Sequence, residues 1–253
     1  MFPIADENEP GRGPAFVTLA FIAINVAVFF LIQLNNEAFT YGYSTIPAEI
    51  TRGIDLVRPV PVDVGGERVL IPEAPGPNPI YLTLLTSMFM HGGIAHIFGN
   101  MLFLWIFGDN VEHRVGHIPY ALFYLAAGVI ASFAQILVNP DSPIPSLGAS
   151  GAISGVLGAY LVFFPSNRVW VIVFRFIPYA VPAIVAIGLW AVLQFINGFG
   201  SIAVTEQTGG VAYMAHIGGF IAGLVFGFIG RTIWGSGARG TPAPERNYNL
   251  SWR

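Results

Sequence analysis

Cysteine is absent from this chain, and so is lysine: all eleven basic residues are arginine. The first absence excludes disulfides, thiol nucleophiles and thiolate metal sites. Charge is scarce as well. Charged residues make up 10% of the chain, where an ordinary soluble domain carries about a quarter. A net charge of −3 leaves no electrostatic footprint for nucleic acid. No His-Glu-x-x-His helix is present, which removes the usual signature of a zinc protease.

What the chain has in quantity is apolar sequence, with 54% hydrophobic residues and a mean hydropathy of +0.66, gathered in long blocks. A bilayer core of about 30 Å takes about 20 apolar residues per helix. Residues 15–34, 94–111, 118–138, 147–164, 182–196 and 211–230 form six such blocks, the fourth short and Gly-rich. The expected fold is all-α: a polytopic membrane bundle of six transmembrane helices in one domain over 15–231. A short segment, 1–14, precedes it and a polar tail, 232–253, expected to be disordered, follows. The stretch 169–181 is apolar but contains Arg175 and Pro178, and reads as an interfacial loop or half-helix. The first block does not read as a cleaved leader, because Asp6, Glu7 and Glu9 precede it in place of basic residues. The first loop, about 35–79, is long enough to be functional or disordered. Its patch 60–71 has the pattern of a hairpin.

Six crossings put both termini on one face. Arg12, Arg114, Arg168, Arg175, Arg231, Arg239, Arg246 and Arg253 fall on that face, whereas only Arg52, Arg58 and Arg68 fall opposite, all in the first loop. The positive-inside rule then makes both termini cytoplasmic. This arrangement suits a bacterial inner membrane, with an organelle as the alternative.

Polar groups inside membrane spans are costly, so their positions carry information. His96 and Asn100 lie four residues apart in the second block and share a helix face. Ser150 opens the fourth and His216 lies early in the sixth. These three blocks run in the same direction, so all four side chains reach a similar depth, roughly 5–10 Å below the outer surface. Gly151 and Gly155 on one block, and Gly219, Gly223 and Gly227 on the other, form small-residue stripes that let helices approach closely. If the stripes face each other, Ser150 and His216 come within hydrogen-bonding reach, the minimal pair for acyl transfer. Asn100, His96 and the backbone N–H groups at the start of the fourth block are donors for a developing oxyanion.

Four segments, His91-Gly92-Gly93-Ile94-Ala95-His96-Ile97-Phe98-Gly99-Asn100, Gly108-Asp109-Asn110-Val111-Glu112, Gly148-Ala149-Ser150-Gly151 and Ala215-His216-Ile217-Gly218-Gly219, occur in order on the expected helices. In these segments, from about Leu85 to Gly230, the chain resembles the rhomboid intramembrane serine proteases. The resemblance implies a six-helix core and a Ser–His dyad with Ser150 as nucleophile and His216 as base. It implies an oxyanion site of His96, Asn100 and the Ser150 backbone N–H. Substrates would be single-pass membrane proteins cut near the outer face within the lipid bilayer, with no metal, ATP or other cofactor. Two positions depart from the pattern. The first outer loop lacks the Trp-Arg pair of many members, and Ser154 stands where some members place an aromatic ring against the base, so something else must orient His216.

Blander readings stand beside these. Ser150 or His216 alone would be helix-packing glue or an interhelical hydrogen bonder, and Ser154, about 6 Å deeper, is a rival nucleophile better read as packing. His91 lines the mouth of the site or makes a structural hydrogen bond. Glu112 and Arg114 fix a cytoplasmic turn. A catalytically silent module that escorts membrane helices is the alternative function, although such a module is expected to lack the Ser or the His. A transporter would place charges near the midplane of broken helices. A soluble esterase would need Gly two residues after its nucleophile, where Ala152 stands.

Overall fold

The computed structural model describes residues 2–8, 13–64, 66–172, 177–203 and 212–235. Every apolar block of the sequence becomes a helix. α1 runs Phe16–Ala27 and continues as a π-helical stretch, Val28–Gln33. The first long loop carries α2 (Glu37–Tyr43) and α3 (Pro47–Arg52), and then, as its sequence pattern suggested, a hairpin of β2 (Val60–Val64) and β3 (Glu67–Ile71). A short α4 (Thr83–Thr86), flanked by 3₁₀ turns, leads into α5 (Ile94–Val115). Then come α6 (His117–Val138), α7 (Ser150–Phe163), α8 (Ala183–Ala203) and α9 (Tyr213–Trp234).

Among the described residues four helical segments, Phe16–Gln33, Ile94–Val115, His117–Val138 and Tyr213–Trp234, are long and apolar enough to cross a membrane. The other two expected spans are shorter as apolar helices, Ser150–Phe163 and Ala183–Gly198. At 1.5 Å per residue α7 is only about 21 Å long. It tolerates this because it is the core of the bundle: all its residues except Ser150 and Leu161 are buried.

The small-residue stripes explain how α7 is enclosed. It packs most extensively against α9. A Cβ at Gly219 would overlap the carbonyl oxygen of Gly151, and one at Gly223 would overlap that of Gly155. From α6, Ala131 and Ala127 face Gly151 and Gly155, at 2.6 Å from the positions their Cβ atoms would take. Backbones in direct contact gain dispersion energy and hold the start of one helix in fixed register with its neighbour.

One expectation is corrected. The described residues of the stretch 169–181 are strand rather than an interfacial loop or half-helix: β4 (Arg168–Ile172) and β5 (Pro178–Pro182) pair antiparallel, and β1 (Phe2–Asp6) adds a third strand on the other side of β4. β-branched Val169 and Val171 are buried while their neighbours are more open, a period of two that a half-buried strand requires. Arg175 lies outside the described residues. β1 is pinned by Asp6, whose carboxylate accepts from Asn110 Nδ2 (2.8 Å) and from the Tyr160 hydroxyl (2.6 Å). α9 extends to Trp234, three residues past the expected end of the domain, and the remainder of the tail, 236–253, lies outside the described residues.

Glu112 does what the sequence suggested and fixes a turn. Fully buried, it accepts from the backbone N–H groups of Val17 (2.9 Å) and Thr18 (2.7 Å), the Thr18 hydroxyl and the His117 ring. It thereby caps the start of α1, where N–H groups have no intrahelical partner, from the far end of α5. Arg114 lies over the Phe164 ring, 5.0 Å from its centre.

The first long loop is tied to the loop that precedes α7. Thr45 and Ser146 exchange two backbone hydrogen bonds (3.0 and 2.8 Å), Ala48 N–H donates to the Ser142 carbonyl, and Arg52 pairs with Asp141. Beneath α3, Glu49 and Glu73 are 1% and 8% exposed. Leu56 N–H donates to one oxygen of Glu49 (2.7 Å), while the other and both of Glu73 have no partner among the described residues. Burial pushes the Glu49 carboxyl up to about 7 and that of Glu73 to about 8, with repulsion from Glu49 adding to the second. The folded protein therefore keeps protons that an unfolded chain releases near its ordinary value of 4.5. The stability contributed by these groups is present below that pH and is lost as pH rises through about 7 and about 8. The unfolding midpoint in detergent is expected to fall between about pH 5 and about pH 9. Glu49→Gln/Glu73→Gln is expected to flatten that fall, and an undiminished fall in the double variant counts against this assignment.

Candidate active site

Ser150 is the first residue of α7, and the chain reaches it through Gly148, whose φ of +134° is one that side chains other than glycine rarely adopt. The Gly148 N–H donates to the Ser87 carbonyl (2.9 Å). With the Thr45–Ser146 pairing just upstream, the turn into the helix is held from two sides. Helices α5, α7 and α9 all begin on this side of the bundle, which is why side chains from their first turns converge.

The Ser150 Oγ lies 2.8 Å from His216 Nε2. On the other side of the ring, Nδ1 lies 2.7 Å from Gln194 Oε1 on α8. An amide oxygen only accepts, so Nδ1 carries the proton and Nε2 is left as an acceptor for the Ser150 hydroxyl. Trp190 and Tyr213 flank the ring, with centroids 6.1 and 6.4 Å away. The Gln135 side chain on α6 accepts from the Ala215 N–H in the first turn of α9 (3.4 Å).

His96 approaches from α5. Its Nδ1 accepts from the Gly92 N–H (3.2 Å), which places its proton on Nε2. A Cβ at Gly148 would stand 3.0 Å from that Nε2 and 3.6 Å from Ser150 Oγ. Donor and hydroxyl thus face one atom-sized position, which glycine leaves open. A reacting atom at such a position sits within reach of both nucleophile and oxyanion donor. One turn further along α5, Asn100 is 8% exposed, and its Nδ2 has no partner among the described residues. A buried amide donor without an acceptor is costly and marks a place where a ligand oxygen would be welcome. A cavity of about 20 Å³ adjoins Ser150, lined among others by Ser87, Ser132 and Ser146. That is room for one water with polar partners.

All four residues singled out from the sequence therefore lie at the starts of α5, α7 and α9. The structure brings Ser150 and His216 into direct contact, and it sets His96 Nε2 across the Gly148 gap from Ser150. Asn100 lies one turn beyond His96 on the same helix. Ser154 is separate from them: 1% exposed, it donates to the Ser150 carbonyl (2.6 Å), as a packing serine does. His91 is buried, with its ring edge-on to His96 at 5.2 Å. It is the His91 backbone that is clamped, its N–H and C=O both bonded to the amide of Gln33. Among the described residues no cluster of three or more His, Cys, Asp or Glu is arranged to hold a metal ion.

Gln194 was missed in the sequence. Its signal was there: it is the sole amide in the block 182–196, where a buried polar group needs a reason.

A comparison with protein families matches residues 79–233 to the Rhomboid domain. Among curated proteins, "Rhomboid protease GluP" of Bacillus subtilis (strain 168) is 34% identical over 213 residues, covering 84% of this chain and 34% of that protein. "RHOMBOID-like protein 4" of Arabidopsis thaliana is 29% identical over 200 residues, covering 79% of this chain and 43% of its own. "Rhomboid protein 1, mitochondrial" of Saccharomyces cerevisiae is 28% identical over 151 residues, covering 58% and 41%. This chain thus spans less than half the length of each of these relatives.

Proposed function

This chain belongs to the rhomboid family, and on that premise we propose that it is an intramembrane serine endopeptidase with Ser150 as nucleophile and His216 as base. The observation that carries the proposal is the 2.8 Å contact between Ser150 Oγ and His216 Nε2, with the proton of the imidazole held on the opposite nitrogen. In the reaction, Ser150 Oγ attacks the scissile carbonyl carbon while its proton passes to His216 Nε2. The carbonyl oxygen becomes an oxyanion at the position opposite His96 Nε2–H. Asn100 Nδ2 and the N–H groups at the start of α7 supply further donors and the positive end of a helix dipole. His216 then gives its proton to the departing amine, and the C–N bond breaks to leave an acyl-enzyme. Water, of which the adjoining cavity has room for one molecule, attacks the ester with His216 again accepting the proton. The ester C–O bond then breaks, His216 returns its proton to Ser150 Oγ, and the carboxylic acid product leaves with Ser150 regenerated.

The family and the site's position near the start of the helices support a substrate class of transmembrane proteins, in particular single-pass ones, cut near the outer face. The arginine distribution supports cytoplasmic termini and a bacterial inner membrane. The test is purified protein in liposomes with a single-pass substrate, together with a fluorophosphonate that phosphonylates activated serines. Cleavage, and a label mapped by mass spectrometry to Ser150, are expected. A substrate helix that binds without being cut, with Ser150 unlabelled, would turn the reading to the escort function.

The oxyanion assignment carries its own expectation. Asn100→Ala and His96→Ala should each lower kcat by roughly 10²–10³ with KM little changed, as for loss of one such donor in other acyl-transfer sites. A rise in KM at constant kcat would instead make them ground-state binding groups.

A further inference from the structure

α8 lies at the edge of the bundle. It packs mainly on α9 and the β4–β5 hairpin, and Ile184, Leu189, Val192 and Ile196 on it are exposed. Against that apolar surface, Gln194 is half-buried, and its amide oxygen meets His216 Nδ1 at 2.7 Å. Among the described residues no carboxylate contacts His216, and the charged or titratable group that acts on it from a neighbouring helix is His96. We infer that Gln194 is the positioning residue of this site, a neutral third member that locks the imidazole of His216 in its Nδ1–H tautomer from the helix at the bundle's edge. The inference rests on the reading of Ser150 and His216 as nucleophile and base.

The chemistry accounts for an amide in this place. A serine–histidine pair works only while Nε2 is free to accept. An imidazole with no acceptor beside Nδ1 is free to carry its proton on Nε2, where it blocks the Ser150 proton from leaving. A carboxylate would lock the ring more firmly, but a bare charge on a half-exposed apolar helix is far costlier to bury than an amide. The amide oxygen keeps the geometry and omits the charge. It follows that the base depends on where α8 sits: any displacement of α8 away from α9 removes the lock, while Ser150, His96 and Asn100 stay on helices of the core.

The experiment compares wild type, Gln194→Leu, Gln194→Glu, Ser150→Ala and His216→Ala in liposomes, reading kcat, KM and the pH–rate profile. Gln194→Leu keeps the volume and loses the acceptor. It is expected to lower kcat about 10- to 100-fold with KM within a few-fold, less than the loss on corrupting a charged third member. Gln194→Glu keeps the acceptor and adds a charge that favours imidazolium. Its acid limb should move to higher pH by about one unit or more, a change that a merely structural role would not produce. If Gln194→Leu fails to fold, the Glu profile decides alone. An unchanged profile in Gln194→Glu, or wild-type kcat in Gln194→Leu, overturns the inference while the inert Ser150→Ala and His216→Ala leave the dyad standing. Activity in either of those two would instead overturn the dyad itself.

Discussion

Ser150→Ala is expected to abolish cleavage of a single-pass substrate in liposomes, by a factor on the order of 10⁴ or more in kcat. His216→Ala should do the same, and the double variant should be no worse than either single one. Nucleophile and base act as a unit, so removing one forfeits what the pair provides. Ser154→Ala is the informative control. It lies one turn below Ser150, is buried, and spends its hydroxyl on the Ser150 carbonyl. Its loss should change activity only a few-fold. Equal loss in Ser154→Ala and Ser150→Ala would mean that the start of α7 is being disrupted and that the chemistry is unassigned. Undiminished cleavage by Ser150→Ala would remove the nucleophile outright.

Gly219→Leu and Gly223→Leu are expected to be the most destructive changes outside the site. Added side chains at these positions would run into the carbonyl groups of Gly151 and Gly155, which are backbone and have no room to yield. α9 would have to withdraw from α7, and His216, one turn before Gly219, would withdraw with it. Overpacking of a close-packed core typically costs about 1–3 kcal/mol; a clash with backbone belongs at or beyond the upper end. The expected result is loss of the cooperative unfolding transition in detergent together with loss of fluorophosphonate labelling. Gly188→Ala on α8 provides the contrast, since nothing stands within 4 Å of the added methyl. It should match or slightly exceed wild-type stability, because alanine is favoured over glycine in a helix by about 0.5–1 kcal/mol. Comparable damage from Gly188→Ala would show that these glycines matter through helix propensity and not through close approach.

Much of this protein was legible before its fold was known. The bilayer demands long apolar runs with internal hydrogen bonding, so the order and approximate ends of the apolar helices were written in hydropathy alone. The same solvent makes every polar group in a span conspicuous. His96, Asn100, Ser150 and His216 stood out for that reason, and their common depth followed from chain direction. The glycine stripes announced which helices would touch. The third strand of the sheet did not announce itself. β1 meets β4 in a pairing such as Phe2 with Ile172, and no local period reports a partner so distant in the chain.

Only the tertiary structure decided which polar atoms meet. Glu112 could be assigned to a turn from its place in the chain, but that it caps α1 depends on the two helices lying side by side. That Gly148 leaves open the position between His96 and Ser150 depends on a φ value and a ring from another helix. That Gln194 faces His216, with no acid doing so among the described residues, depends on the rotation of α8 about its own axis. Sequence in a membrane records what each segment must bury; which group satisfies which is settled by crossing angle and rotation, and these arise only when the helices pack.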